Sequence, residues 1–224
     1  MEDYTKKLQN HALFKGIKPE ESKILMGCLG PRHCRKKADE YILRAGEPTQ
    51  EMGLVLSGSV IAIQEDLWGH RHIMTRIGAG DIFAEPFAAV PGSLLNASVV
   101  AAEDCELLFL NVSRLLTSCQ AACAFHNRLI QNLVAILGRK TMVFNEKLTH
   151  LSKRTTREKL LSYLSSQALQ KGSLSFAIPY DRQQLADYLC VERAAMSTEL
   201  SKLQKEGILQ YHKNHFVLKK LEEE

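Results

Sequence analysis

The chain has 224 residues, 45% of them hydrophobic and 24% charged, and carries a net charge of +4 at pH 7. That length and balance allow one large core or two smaller ones and exclude low-complexity disorder, with two domains the better expectation. The opening MEDYTKKLQN holds no apolar signal core and no apolar run approaches the ~18 residues of a membrane span, so the cytoplasm is the expected location, with no membrane partner.

Six cysteines occur without a CxxC pair, in a chain too long to need disulfide staples, and reduced thiols are expected. The charge is uneven. Residues 1–113 carry 12 Lys and Arg against 15 Asp and Glu, whereas residues 114–224 carry 17 against 10. The C-terminal half is therefore the half to test for a polyanionic partner.

Residues 11–30, HALFKGIKPEESKILMGCLG, read as short helices, with Lys18-Pro19-Glu20-Glu21 as a start and Gly30-Pro31 as a stop. Cys28, in ILMGCLG, is expected to be a small buried residue of helix packing. From about Arg35 to Leu110 the period changes. Runs such as EYILRAG, EMGLVLSGSVIAIQ, RHIMTRIG and CELLFLNV alternate with glycines, as in an antiparallel roll or sandwich. Within this region, from Ile77 to Ser113, there is no Lys, Arg or His, while Asp81, Glu85, Glu103, Asp104 and Glu106 all fall inside.

From Arg114 to Leu151 the only helix-breaking residue is Gly138, and Ile130, Leu133, Leu137, Phe144, Leu148 and Leu151 recur at helical spacing apart from one skipped step at Thr141. Such a long helix with an apolar seam suits dimerisation, or burial within its own subunit. A further amphipathic helix runs from about Thr155 to Gln167. Residues 181–209, DRQQLADYLCVERAAMSTELSKLQKEGIL, then form two helices with a short break near Cys190-Val191-Glu192. Leu185, Tyr188 and Leu189 form the inner face of the first, and Met196, Leu200 and Leu203 that of the second. This is helix-turn-helix spacing, and ILQYHKNHFVLKKL follows as a two-stranded wing around Lys213-Asn214. The outward Arg193, Ser197 and Thr198, with Lys202, Lys205, Lys213, Lys219 and Lys220, favour a DNA-binding unit over a plain helical hairpin.

In this order the parts resemble the Crp/Fnr family of bacterial transcription regulators, typified by the cyclic AMP receptor protein and the fumarate and nitrate reduction regulator. The resemblance covers about Leu13 to Leu218. It rests on ILRAGEP, LVLSGSV and GAGDIFAE, where Gly46, Gly58 and Gly80 match turn glycines, and on QQLADYLCVERAAMSTELSKL followed by EGIL. It implies an α+β fold: an effector-sensing β-roll with N-terminal helices over residues 1–112, a dimerisation helix and hinge over 113–151, and a winged helix over 152–224. It implies a homodimer acting on double-stranded DNA, with RNA polymerase as a further partner, and a regulator rather than an enzyme.

Carried over by position, Arg193 is the first choice for reading guanine, with Ser197 on the same face. Ala194 and Thr198 stand where the two named relatives place a glutamate and an arginine, so the target sequence should differ, and Ala194 and Ala195 can meet thymine methyls. Glu199 would orient Arg193 or face solvent. Arg182, Gln183, Lys202, Lys213 and His215 are candidates for phosphate contacts. Cys190 replaces the usual turn glycine and strains the turn if φ is positive. The dimer seam is assigned to Ile130, Leu133, Leu137, Phe144 and Leu148.

The effector pocket is assigned to Phe83, Glu85, Phe87, Leu95 and Asn96. Where the cyclic AMP receptor protein holds phosphate with an arginine and a serine, this chain has Leu95 and Asn96. Cyclic nucleotides are therefore expected not to bind; a neutral, apolar or cationic effector, or a filled pocket, is expected instead. No cofactor or metal is assigned. The alternative is a metal or thiol redox sensor using Cys119, Cys123 and His126, or Cys28 and Cys34, although the cluster-carrying relative has three clustered N-terminal cysteines. An enzyme would need a ligand set or nucleophile triad; only His70 and His72 stand near one another in the roll.

Overall fold

The computed structural model describes residues 4–9, 11–66, 68, 71–117 and 124–219. The chain divides into two compact units, residues 1–137 and 138–224. Cys119, Cys123, His70 and Lys220 lie outside the described residues. No described helix is long and apolar enough to cross a membrane.

The first unit opens with α1 (Tyr4–Gln9), a 3-10 turn (Ala12–Phe14) and α2 (Pro19–Leu29). Pro19 suits the first helical position because it has no N–H to leave unsatisfied, and the Lys18 N–H donates to Glu21 Oε2 at 2.8 Å. The α2 face that packs is Ser22, Leu25, Met26 and Leu29; Cys28 is exposed, because it falls off that stripe, which corrects the expectation of a buried thiol.

Eight strands follow: β1 (Arg32–Lys36), β2 (Tyr41–Leu43), β3 (Glu51–Ser57), β4 (Ser59–Glu65), β5 (Arg71–Gly78), β6 (Ile82–Phe83), β7 (Ser98–Ala101) and β8 (Cys105–Asn111). They make two antiparallel sheets, β1-β8-β3-β6 and β2-β7-β4-β5. Strands β3 and β8 are apolar on successive residues because both their faces are buried. Leu108 and Leu110 of β8, with Met52 and Leu54 of β3, pack with Leu13, Phe14, Leu25 and Leu29 from the helical segments. The alternate residues Leu107, Phe109 and Val55 turn to the roll interior with Val60, Phe83 and Val99. Each such side chain contributes about 1.5–3 kcal/mol on burial.

Two glycines are required by close approach. A Cβ on Gly53 would lie 2.0 Å from Phe83 Cζ, and one on Gly58, at φ +74°, would lie 2.4 Å from the Asp104 carbonyl oxygen. Helix α3 (Glu85–Ala89) starts from Ala84 at φ 61°, and α4 (Val112–Leu116) closes the roll.

The long helix does not begin at Arg114. Thr117 leaves α4 in an extended conformation, and α5 runs over Ala124–Leu151, 28 residues or about 42 Å. Its first half belongs to the first unit: Leu129 and Leu133 are buried there, and Ile130 and Leu137 pack against the same cluster. Leu133 therefore lies in the core of its own domain, which removes it from the expected seam. Phe144 and Leu148 are exposed, at 65% and 53%, as are Val134, Met142 and Val143.

The second unit continues with α6 (Thr156–Lys171), β9 (Ser175–Ala177), α7 (Arg182–Leu189), α8 (Arg193–Lys205), β10 (Leu209–His212) and β11 (His215–Leu218). Thr155 and Glu158 form a reciprocal capping box at the start of α6, which runs four residues past the expected Gln167 to end at Gly172. The wing has a third strand, in the order β10-β11-β9. The three residues of β9, SFA, are too few to show a strand period. The core here is Leu160, Tyr163, Leu164, Phe176, Leu185, Leu189, Met196, Leu200, Leu203, Leu209 and Phe216.

Candidate nucleic-acid interface and effector pocket

Helix α7 is started by Asp181, whose Oδ1 accepts from the Gln184 N–H at 2.8 Å while Gln184 Oε1 accepts from the Asp181 N–H at 2.9 Å. Leu185, Ala186 and Leu189 fix its buried face. The turn is then made by Cys190 in the left-handed region at φ 51°, followed by the Val191 N–H donating back to the Ala186 carbonyl at 3.0 Å. A residue with a Cβ pays about 1–2 kcal/mol for that conformation. The Cys190 residue is exposed, and its Sγ lies 3.7 Å from the Asp187 carbonyl oxygen.

Helix α8 is held by Met196, Leu200 and Leu203, all fully buried. Their spacing forces the opposite side outward: Arg193, Ala194, Ala195, Thr198, Ser201, Lys202 and Lys205 are exposed, and Ser197 is half-buried. Arg193, first residue of the helix, stands where main-chain N–H groups lack intrahelical partners, so cation and helix terminus attract anions together. The Thr198 and Ser201 hydroxyls donate to the carbonyls of Ala194 and Ser197, each at 3.0 Å, leaving their oxygens able to accept.

The expected phosphate contacts differ in freedom. Lys213 is exposed at φ 52° in the tight turn of the wing, where Asn214 Nδ2 donates to the Ile178 carbonyl at 3.1 Å. His215 is exposed, with Ser175 Oγ 3.5 Å from its Nε2. Gln183 Nε2 donates to Asp187 Oδ1 at 2.8 Å. Lys202 lies 3.5 Å from Glu199. Arg182 is not a loose surface cation: its guanidinium stacks over the rings of Tyr211, at 4.7 Å, and Phe216, at 5.2 Å, and burial works against its charge. Pro179, Tyr180, Asp181, Arg182, Gln184, Lys213 and Asn214 line a cleft of about 480 Å³ between the start of α7 and the wing. Glu199 neither orients Arg193 nor faces solvent: Arg157 and Lys202 take its two carboxylate oxygens.

In the roll, the basic-free stretch obtains its countercharges from outside. Glu103 is held by Arg76 at 3.3 Å, Asp104 by Lys37 at 2.6 Å, and Glu106 by Lys7, His33 and Arg35. These partners hold all three carboxyls below their ordinary range: Ser59 and then Arg76 for Glu103, Lys37 for Asp104, Lys7 and then His33 for Glu106.

Glu85 is buried, 5% exposed, at the first position of α3, and Phe87 is half-buried. Leu95 is buried, and its carbonyl accepts from the Gly46 N–H at 2.8 Å. Asn96 is exposed, and its carbonyl accepts from Gln64 Nε2 at 3.2 Å. Phe83 is a core side chain instead of an open pocket wall: it covers Gly53 and meets Phe109 edge to face at 5.9 Å between centroids.

His126 is turned inward, its Nε2 2.8 Å from the Leu115 carbonyl oxygen. Cys34 and Cys105 have their thiols pushed up by burial, the opposite of a reactive thiolate. Among the described residues no group of three or more His, Cys, Asp or Glu is placed to hold a metal ion.

Residues 34–121 match the family described as the cyclic nucleotide-binding domain, and residues 158–223 that described as the Crp-like helix-turn-helix domain. The cyclic AMP receptor protein of Thermus thermophilus is 28% identical over 90% of this chain and 89% of its own. The cAMP-activated global transcriptional regulator CRP of Haemophilus influenzae is 22% identical over 80% and 82%. Among solved structures, the catabolite activator protein of Thermus thermophilus superposes with a TM-score of 0.54, at 26% identity and 93% coverage of both chains.

Proposed function

The chain belongs to the Crp/Fnr family of DNA-binding transcription regulators, and from that premise we propose that it works as a homodimer whose two α8 helices enter successive major grooves, under control of an effector other than a cyclic nucleotide. The observation that carries the DNA reading is α8 itself. Its buried stripe leaves Arg193, Ala194, Ser197 and Thr198 facing outward from a unit that also presents Lys213 in the wing. Arg193 reads a base edge, while Lys213, His215, Gln183 and Lys202 meet phosphates and set the register. Arg182 supports the wing by stacking and offers its remaining N–H groups at the cleft.

Pairing of two copies is supported by the exposed apolar residues Phe144 and Leu148, one turn apart on α5. The resemblance adds RNA polymerase as a further partner.

The effector reading rests on charge. A cyclic nucleotide at this loop brings a phosphate toward the buried Glu85, and the basic-free stretch has Leu95 where a relative places the pairing arginine. An unpaired buried charge costs several kcal/mol, and about 4 kcal/mol already turns a micromolar affinity into a millimolar one. A neutral or cationic molecule oriented by Glu85 and Asn96 has no such cost.

Selection of bound fragments from random duplex DNA tests the function directly. Recovery of a two-fold palindrome with half-sites one helical turn apart supports it, and recovery of nothing above background overturns it.

A further inference from the structure

Arg157, in the first turn of α6, reaches across to α8. Its Nη1 donates to Glu199 Oε1 at 3.3 Å and to Glu206 Oε1 at 3.0 Å, and its Nη2 donates to Glu206 Oε2 at 2.5 Å. Glu199 is largely covered, with 16% of its side chain exposed, and its other oxygen is 3.5 Å from Lys202 Nζ. Glu206 is the C-cap of α8, where a negative charge meets the negative end of the helix dipole. Two carboxylates thus sit on the helix that faces DNA, both held by one guanidinium from another helix. Nothing in base reading or in core packing calls for them.

A carboxylate near the phosphate backbone repels it, and an ammonium that must neutralise a neighbouring carboxylate is a weaker phosphate partner. With Arg157 in place, Glu206 is paired by two parallel N–H donors and Glu199 by a third, so Lys202 shares Glu199 with a second cation. Without it, Glu206 is bare and Glu199 is left to Lys202 alone. The planar fork matters, because a lysine at 157 brings one point charge to one of the two acids.

We propose that Arg157 is a positioning residue of the DNA-reading surface, which masks Glu199 and Glu206 so that α8 and Lys202 approach phosphates without repulsion. The inference rests on α8 being the reading helix. It goes beyond that reading in assigning a role to three side chains that need touch neither base nor phosphate.

The test is a mutant cycle on the full chain, read as affinity for the selected duplex and for random duplex at several salt concentrations. Arg157→Gln should weaken binding to both by about tenfold, the size of one or two exposed like-charge contacts. Adding Glu199→Gln with Glu206→Gln should restore that loss, while the same pair in the unaltered chain changes affinity less than about twofold. Arg157→Lys should fall between, and its cycle serves where Arg157→Gln lowers the melting temperature into the assay range. Additive effects overturn the proposal, as does a loss that the two Gln changes leave unrepaired with a salt slope lower by about one, which would make Arg157 itself a phosphate contact. Failure of the unaltered chain to bind any duplex overturns the DNA reading and this inference with it.

Discussion

The imidazole of His150 stands at right angles to the ring of Tyr163, 5.7 Å between centroids, and its Nδ1 shares a 2.8 Å hydrogen bond with the Ser162 hydroxyl. Tyr188 lies tilted 6.3 Å away, and Tyr180 stacks on Tyr188 at 5.1 Å. The last turn of α5 is thereby packed on α6 and α7, and Glu146, one turn earlier, accepts from Ser166 and Gln170. These contacts tie the last turns of α5 to the second compact unit, Gly138–Glu224.

His150 is 2% exposed, and burial lowers its pKa from the ordinary 6.5; Glu146, 3.8 Å away, raises it less, and Lys153 lowers it further. The unfolded chain therefore binds the proton more readily than the folded one below pH 6.5, and stability is lost as pH falls through that window. Buried His11 shifts the same way in the first unit. Protection factors of α6 and α7 amides in the full chain, exchange rates corrected for their intrinsic pH dependence, should fall between pH 7.5 and 5.5, and His150→Gln should flatten that dependence. An unchanged profile in the variant would show that another group governs it.

Arg193→Ala should cost about 1–3 kcal/mol per half-site and relax preference at one base position, whereas Lys213→Ala should weaken all sequences alike and lower the salt slope by about one. Binding titrations of both variants on selected and random duplexes separate the roles. Equal losses on every duplex for Arg193→Ala would make it a phosphate contact.

Replacing Phe144 and Leu148 together by Asp should yield folded monomers in sedimentation, with weak binding to a palindromic site, because both side chains are exposed within one copy. Leu133→Asp should instead unfold the first unit, since it puts a carboxylate among Leu129, Leu115 and Leu110. A dimer that survives the double change would place the interface elsewhere.

Calorimetry with cyclic AMP and cyclic GMP should give no saturable heat at millimolar ligand. Clear binding of either, sensitive to Glu85→Ala, would overturn the charge argument at the roll.

Gly53→Ala should destabilise the first unit by at least about 2 kcal/mol, since the new methyl overlaps the Phe83 ring, and Phe83→Leu should recover part of that loss. Denaturant midpoints of the two single variants and the double variant measure the coupling.

Local rules made much of this molecule legible from the chain alone. The apolar period of 3.6 in LADYL and AAMSTELSKL is enough to build a helix-turn-helix, and the glycine-punctuated Ile, Val and Leu runs are enough to build a roll. These features act over one or two turns, so their signals lie close together in sequence. Which faces are spent internally was decided only by tertiary packing. Leu133 and Phe144 belong to one helical pattern, yet the first is buried in the core of its own domain and the second is exposed. Phe83 reads as a pocket wall until Gly53, 30 residues earlier in the chain, is brought beneath its ring. Arg157, 42 residues from Glu199 and 49 from Glu206, reads as one more surface cation. Periodicity shows that a side chain shares a face with its neighbours along the helix; only the approach of a distant segment, which carries no mark in the local sequence, determines what that face meets.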